Sequence, residues 1–216
     1  MNCLINAGPT FEPLDDVRRL TNFSTGRLGT ELANFLAARG HRVTLLRGEL
    51  ATYRGTCGVP LKTFSTTADL RAKLKSFSGK KVDAIFHAAA VSDFGFGRMF
   101  IRDADGKLRP FRPSNKISTR GGGLLVELTP TRKIIAELRG WFPKTKIIGW
   151  KFEADGSRAS ALRAARQQIA GCQTDACVAN GPACGKGFDL VSAAVEKHFV
   201  TSDKLFAALE RLLAAS

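Results

Sequence analysis

Short apolar runs alternate with longer amphipathic ones along the chain. The run CLINA (Cys3–Ala7) is apolar almost throughout and ends at Gly8-Pro9, which predicts a buried strand. Between Gly26 and Arg39 the apolar residues Leu28, Leu32, Phe35 and Leu36 share one helical face, and Gly40 supplies a C-terminal stop. HRVTLLRG (His41–Gly48) and VPLKTF (Val59–Phe64) predict two further strands. TADLRAKLKSF (Thr67–Phe77) predicts an amphipathic helix capped by Thr67, and VDAIFHAAAV (Val82–Val91) a long apolar strand.

The rhythm breaks from 93 to 123, where GFGRMF and RPSNKISTRGGG show no period. A structureless stretch of this length predicts a mobile lid or binding loop. It is followed by a strand at LLVELT (Leu124–Thr129), a helix at RKIIAELRGWF (Arg132–Phe142) and a strand at KIIGW (Lys146–Trp150). Next come a helix from Ser157 to Ala170, a strand at ACVAN (Ala176–Asn180), a β-type run SAAVEKHFV (Ser192–Val200) and a helix from Ser202 to Leu213. Alternating strands and helices predict an α/β fold: a Rossmann-like three-layer sandwich with a mostly parallel sheet and right-handed crossovers. The last strands are expected to be less regular and antiparallel at one edge. With no repeat and no low-complexity linker, one domain over residues 1–216 is expected.

Composition narrows the class. No apolar run approaches the roughly 18 residues of a membrane span, and no basic segment precedes a long apolar one at the N-terminus. A cytoplasmic protein without membrane association is therefore expected. The cysteines Cys3, Cys57, Cys172, Cys177 and Cys184 are odd in number and irregular in spacing, which argues against a disulfide framework. No C-x2-C hairpin or nearby His accompanies them, so no metal site is expected. The net charge of +14 favours anions: nucleotide phosphates, phosphorylated substrates or nucleic acid. The basic residues are dispersed, however, with no run denser than Gly79–Lys81, so nucleic acid gains no support and a solubilising surface explains the charge equally well.

In an open parallel sheet, ligands bind beyond the C-terminal ends of the strands. Gly8-Pro9-Thr10, AAAVSD (Ala88–Asp93), GWKFE (Gly149–Glu153) and Ala179-Asn180 fall there, beside the helix start Ser24-Thr25-Gly26. Free N–H groups at that turn attract phosphate, and Gly26 lets the backbone come close. A dinucleotide fold would carry G-x-G-x-x-G after the first strand and an acidic residue after the second; both are missing, although Arg47 could meet an NADP phosphate. Thirteen extra residues, PTFEPLDDVRRLT (Pro9–Thr21), separate the first strand from its helix.

The stretch NAGPTFEPLDDVRRLTNFSTGRLG resembles the opening of phosphopantothenoylcysteine synthetase, with its Gly-Gly/Pro-Thr turn, E-P-[LI]-D-x-V-R segment and S-N-x-S-[ST]-G-[KR]-x-G turn. AAAVSDF, NKIST, LTPTRKIIAEL, IIGWKFE and DACVAN resemble further segments of that family in order, so the similarity runs from about Leu4 to Asn180. The resemblance implies a ligase that joins 4'-phosphopantothenate to L-cysteine through an acyl-nucleotidylate made from CTP or ATP with Mg2+. The flavin-dependent decarboxylase of many relatives has no counterpart in this sequence, so no flavin is implied. By resemblance, Asn22 and Lys116 are catalytic, and Gly8, Ser24, Thr25, Gly26 and Gly29 bind the phosphorylated substrate. Ala89, Ala90, Asp93, Lys116, Thr131, Arg132, Lys133 and Trp150 bind the nucleotide. Thr10–Thr21 becomes a substrate-side loop that delivers Asn22, and a homodimer is implied. His87, inside an apolar strand, reads as a satisfied core residue, and Trp150 either packs on a nucleoside or fills the core.

One departure stands out. The helix before DACVAN usually carries two lysines that reach the triphosphate, whereas here Gln167 or Gln168 and Gly171 or Cys172 occupy those places. Two alternatives stay open: an NAD(P)-dependent reductase and a non-catalytic anion-binding relative. The only tyrosine, Tyr53, is followed by Cys57 where a short-chain reductase has Lys, which disfavours that type.

Overall fold

The computed structural model describes residues 1–112 and 116–214. In chain order the elements are β1 (Asn2–Pro9), the short hairpin of β2 (Phe11–Pro13) and β3 (Arg19–Thr21), α1 (Arg27–Ala38), β4 (Arg42–Gly48), β5 (Leu61–Phe64), α2 (Thr67–Lys75) and β6 (Ala84–Ala90). There follow β7 (Phe94–Arg102), β8 (Leu108–Phe111), β9 (Gly123–Pro130), α3 (Ile134–Trp141) and β10 (Lys146–Phe152). The chain closes with α4 (Arg158–Cys172), β11 (Ala176–Asn180), β12 (Phe188–Ser192), β13 (Glu196–Phe199) and α5 (Ser202–Ala214).

Eight strands form the main sheet in the order β13-β12-β11-β10-β6-β1-β4-β5. The six from β5 to β11 are parallel, and β12 and β13 add an antiparallel edge. The sheet is covered on both faces, which is why its central strands read as unbroken apolar runs. Cys3, Ile5 and Ala7 of β1 point to one face, where Leu32 and Leu36 of α1 meet Leu205, Phe206 and Leu209 of α5. Leu4 points to the other, against Leu70 and Leu74 of α2 and Ile134 and Leu138 of α3. A Rossmann-like three-layer fold is thus present, and helix α1 fits tightly: a Cβ on Gly29 would stand 2.5 Å from Ala7 Cβ.

Three expectations need correction. The stretch 93–123 is not structureless: β7, β8 and a 3-10 turn at Thr119–Gly121 lie in it, and β7 pairs antiparallel with β8 and β9 in a separate three-stranded sheet. LLVELT accordingly joins this small sheet and not the main one; residues 113–115 of the expected loop lie outside the described residues. Strands β7 and β8 escaped the pattern because glycines and charged residues interrupt them, the charges meeting partners as in Arg98–Glu127 (3.1 Å) and Arg109–Asp103 (3.2 Å). Strand β12 was also hidden. Asp189 interrupts its apolar run yet is fully buried, because Arg158 (2.7 Å) and His198 (3.1 Å) satisfy the carboxylate. Finally, the cap of α2 is Thr66, whose hydroxyl accepts from Asp69 N at 3.1 Å, and not Thr67.

A buried hydroxyl knot joins β1, β6 and α2. Ser92 N donates to Thr10 Oγ1 (2.8 Å), Thr10 Oγ1 donates to Ser92 Oγ (3.1 Å), and Thr67 Oγ1 lies 3.2 Å away. Thr10→Val removes the acceptor and strands the Ser92 N–H, so unfolding free energy should drop by about 1–3 kcal/mol in urea titration.

Candidate active site

Chain order reverses between β1 and β6. From β1 the chain runs to β4 and β5 on one side, and α2 then carries it back to β6 on the other. Connections therefore leave the two strand ends in opposite directions, opening a crevice. There lies a cleft of about 1340 Å³, lined from the α1 turn, the ends of β6 and β10, the approach to α3 and one wall of α4.

The α1 side is built for close backbone approach. Gly26 holds φ 76°, and a Cβ there would sit 3.0 Å from Ala51 Cβ. Tyr53 N donates to Thr25 O (3.0 Å) and fixes the turn. Gly26 itself offers no side-chain cap and the first turn carries no acidic residue; the Thr25 hydroxyl accepts from Arg27 N at 3.3 Å, and the following N–H groups of the positive helix end remain available to an anion. Arg27 leans on Glu31 (2.7 Å), which also accepts from Tyr53 (3.2 Å).

Asn22 closes the hairpin segment at the cleft rim. Its Nδ2 donates to the carbonyls of Ala90 (3.2 Å) and Val91 (3.3 Å), leaving Oδ1 without a protein partner among the described residues. On the opposite lip, Thr131 N donates to Asp93 O (2.9 Å) and Thr131 Oγ1 to Ser92 O (2.5 Å), which ties the start of α3 to the end of β6. Arg132 and Lys133 follow in the cleft lining; Arg132 has only a long contact to Glu137 (3.9 Å).

Most expected site residues therefore meet in one place: Asn22, Ser24, Thr25, Gly26, Gly29, Ala89, Ala90, Asp93, Thr131, Arg132, Lys133 and Trp150 all line the cleft. Gly8 and Lys116 do not line it. Gly8 (φ 84°) lies under the loop after β4, where a Cβ would meet Ala51 Cβ at 2.9 Å. The four departing positions, Gln167, Gln168, Gly171 and Cys172, do face the cleft from α4. Gly149 makes room for one of them, since a Cβ there would stand 2.2 Å from Gln168 Nε2, which donates to Cys177 Sγ (3.3 Å).

His87 corrects the sequence reading. It is buried but lines the cleft, and its Nδ1 has no partner among the described residues. Burial pushes its pKa down to about 4, so the ring is neutral at physiological pH. Trp150 packs its ring against the core and also lines the cleft, and its buried Nε1 has no partner among the described residues. Lys151, beside it on β10, also lines the cleft; the sequence placed it within GWKFE at a ligand-facing strand end but gave it no role of its own. Burial pushes the Cys3 thiol up to about 11 and that of Cys177 to about 12, so neither is a nucleophile at neutral pH. Among the described residues no three His, Cys, Asp or Glu side chains group as metal ligands, and no helix is long and apolar enough to cross a membrane.

Comparison with known proteins places this geometry. Residues 1–208 match the DNA/pantothenate metabolism flavoprotein C-terminal domain. The "Coenzyme A biosynthesis bifunctional protein CoaBC" of Thermococcus kodakarensis is 33% identical over 177 residues, covering 82% of this chain and 40% of that protein. The chain thus spans about 40% of the length of such curated relatives. The crystal structure of the DNA/pantothenate metabolism flavoprotein from Streptococcus pneumoniae superposes with a TM-score of 0.83 at 24% identity, covering 100% of this chain and 99% of the other. A mutant of Cab2 in complex with phosphopantothenate-cysteine gives a TM-score of 0.74 at 21% identity, covering 99% and 85%. At these identities the two structures speak for the fold, whereas the sequence match extends over nearly the whole chain. The chain belongs to the family of the DNA/pantothenate metabolism flavoprotein C-terminal domain.

Proposed function

We propose that the chain is a ligase that joins 4'-phosphopantothenate to L-cysteine, activating the carboxylate with CTP or ATP as an acyl-nucleotidylate. The observation that carries this reading is the convergence of Asn22, the Ser24–Gly29 turn, Asp93 and Thr131–Lys133 on one cleft, although they are far apart in sequence. The substrate carboxylate attacks the α-phosphorus, pyrophosphate leaves, and the cysteine amine then attacks the acyl carbon. Such a sequence needs donors at the acyl oxygen and cations around the phosphates, and no protein nucleophile. The buried, neutral Cys177 thiol agrees with this.

The Ser24–Gly29 turn holds the phosphate of phosphopantothenate, and Asn22 offers a carboxamide to the acyl group. Arg132, Lys133 and Lys116 supply charge to the triphosphate. Asp93 is the one carboxylate among the cleft-lining residues, so a Mg2+ ion would be held chiefly by nucleotide phosphates with Asp93 beside them. When bound, the ion offsets charge on the departing pyrophosphate. Exposed Val17, Leu20, Phe23 and Phe94 on the hairpin and cleft rim favour a homodimer, and the enzyme works in the cytoplasm.

The test is to incubate protein, Mg2+ and phosphopantothenate with CTP or ATP in turn, then add cysteine, following acyl-nucleotidylate and product by mass spectrometry. An intermediate that cysteine consumes is the expected outcome; no intermediate and no product with either nucleotide sinks the ligase and favours a non-catalytic anion-binding relative. Asn22→Ala should lower kcat by roughly 10²–10³, as for loss of a transition-state donor. Gln168→Lys restores a cation to the α4 wall and should lower the KM for the nucleotide about tenfold, read in steady-state kinetics.

A further inference from the structure

The hairpin between β1 and α1 makes a long-range contact that the cleft does not explain. Its turn is closed by Leu14 N and Asp15 N, which both donate to Arg18 O (2.8 and 3.3 Å). The Asp15 side chain has no solvent exposure. Oδ1 accepts from Val17 N (2.8 Å) and Arg18 N (2.7 Å), and Oδ2 accepts from Arg18 Nη1 (2.7 Å). Oδ2 also accepts from Ile117 N at 3.0 Å, 102 residues further along the chain. Arg18 returns the contact by donating to Ile117 O from Nη1 (3.4 Å) and Nη2 (3.5 Å). Ile117 itself is 4% exposed.

One Asp–Arg pair thus grips both the N–H and the C=O of a single residue. A two-point grip on the backbone limits rotation as well as translation, so the hairpin sets the direction in which the preceding residue, Lys116, leaves the chain. The bond from Ile117 N is also the largest of the influences that hold the Asp15 carboxyl below the usual carboxylate range. The clasp is therefore ionised and closed at neutral pH.

We propose that Asp15 is a positioning residue: by clasping Ile117 it fixes the backbone that carries the exposed Lys116, which stands outside the cleft lining here, so that its ammonium meets the triphosphate once the nucleotide is bound. This rests on the reading of Lys116 as a triphosphate ligand. The insertion then has a second task beside the delivery of Asn22, because it also holds the backbone next to Lys116.

The test measures amide exchange at Ile117 in the full chain, together with the KM for CTP and ATP, in the native sequence, Asp15→Ala, Asp15→Asn and Lys116→Ala. Asp15→Asn keeps the shape and one acceptor and serves if Asp15→Ala fails to fold. Asp15→Ala should speed exchange at Ile117 about tenfold or more while β1 and β6 keep their protection. It should also raise the nucleotide KM about tenfold with a smaller change in kcat, with Asp15→Asn between. Unchanged exchange at Ile117 overturns the proposal. So does faster exchange with an unchanged nucleotide KM when Lys116→Ala raises it. If Lys116→Ala leaves the nucleotide KM unchanged, the ligand reading of Lys116 is what fails, and the aiming role falls with it, whereas the exchange data still decide the clasp.

Discussion

Everything at the cleft depends on the reversal of strand order between β1 and β6. Two parallel neighbours whose connections leave in opposite directions must expose the ends of both strands, and their terminal N–H and C=O groups need partners there. The protein meets the demand with short polar side chains. Thr10, Ser92 and Thr67 knot the two strand ends to α2, Asn6 Oδ1 accepts from Ala89 N, and Asn22 donates to the last carbonyls of β6. The rim of the crevice is hydrogen-bonded, whereas His87 Nδ1 and Trp150 Nε1 are buried beside it without partners among the described residues.

The same economy explains the insertion after β1. Glu12 accepts from Thr67 N at the start of α2 (3.0 Å), Phe11 N donates to Ser65 O (3.1 Å), and Asp15 holds Ile117. A hairpin of three-residue strands would be marginal alone. Anchored at both ends, it becomes a strut between the main sheet and the segment that carries Lys116. The acidic residues of its motif, Glu12 and Asp15, therefore act on backbone groups, and Asn22 at its exit lines the cleft.

The charge of the cleft is distributed unusually for the resemblance. The α4 wall is neutral, with Gln167 and Gln168 in place of lysines, while Arg132, Lys133 and Lys151 bring cations from α3 and β10. Lys151 lies on the same face of β10 as Gly149, the residue over which Gln168 folds, and its charge is felt by Cys177 beneath α4. Positive charge beside that wall is thus carried by strand β10 and not by α4. With an overall excess of +14, anion attraction does not hinge on one residue.

Periodicity determined the parallel core, because strands buried on both faces must be apolar throughout and their helices must be striped; β1, β6 and α1 were legible for that reason. Spaced motifs determined most of the cleft, from Asn22 to Trp150, since close backbone approach and helix-start anion sites need particular residues at particular turns. Only the tertiary structure decided the rest. Strand β12 is held by a buried Asp189 whose charge becomes tolerable once Arg158 and His198 arrive from elsewhere in the chain. The small sheet pairs β7 with β8 and β9 through backbone ladders with a bulge between Phe96 and Met99, and the glycines and arginines of β7 leave no alternation to read; His87 appears as a core residue until the cleft beside it is seen. The grip of Asp15 on Ile117 spans 102 residues. Local pattern records what each segment can bury by itself; which polar groups are satisfied, and by whom, is a property of the assembled chain.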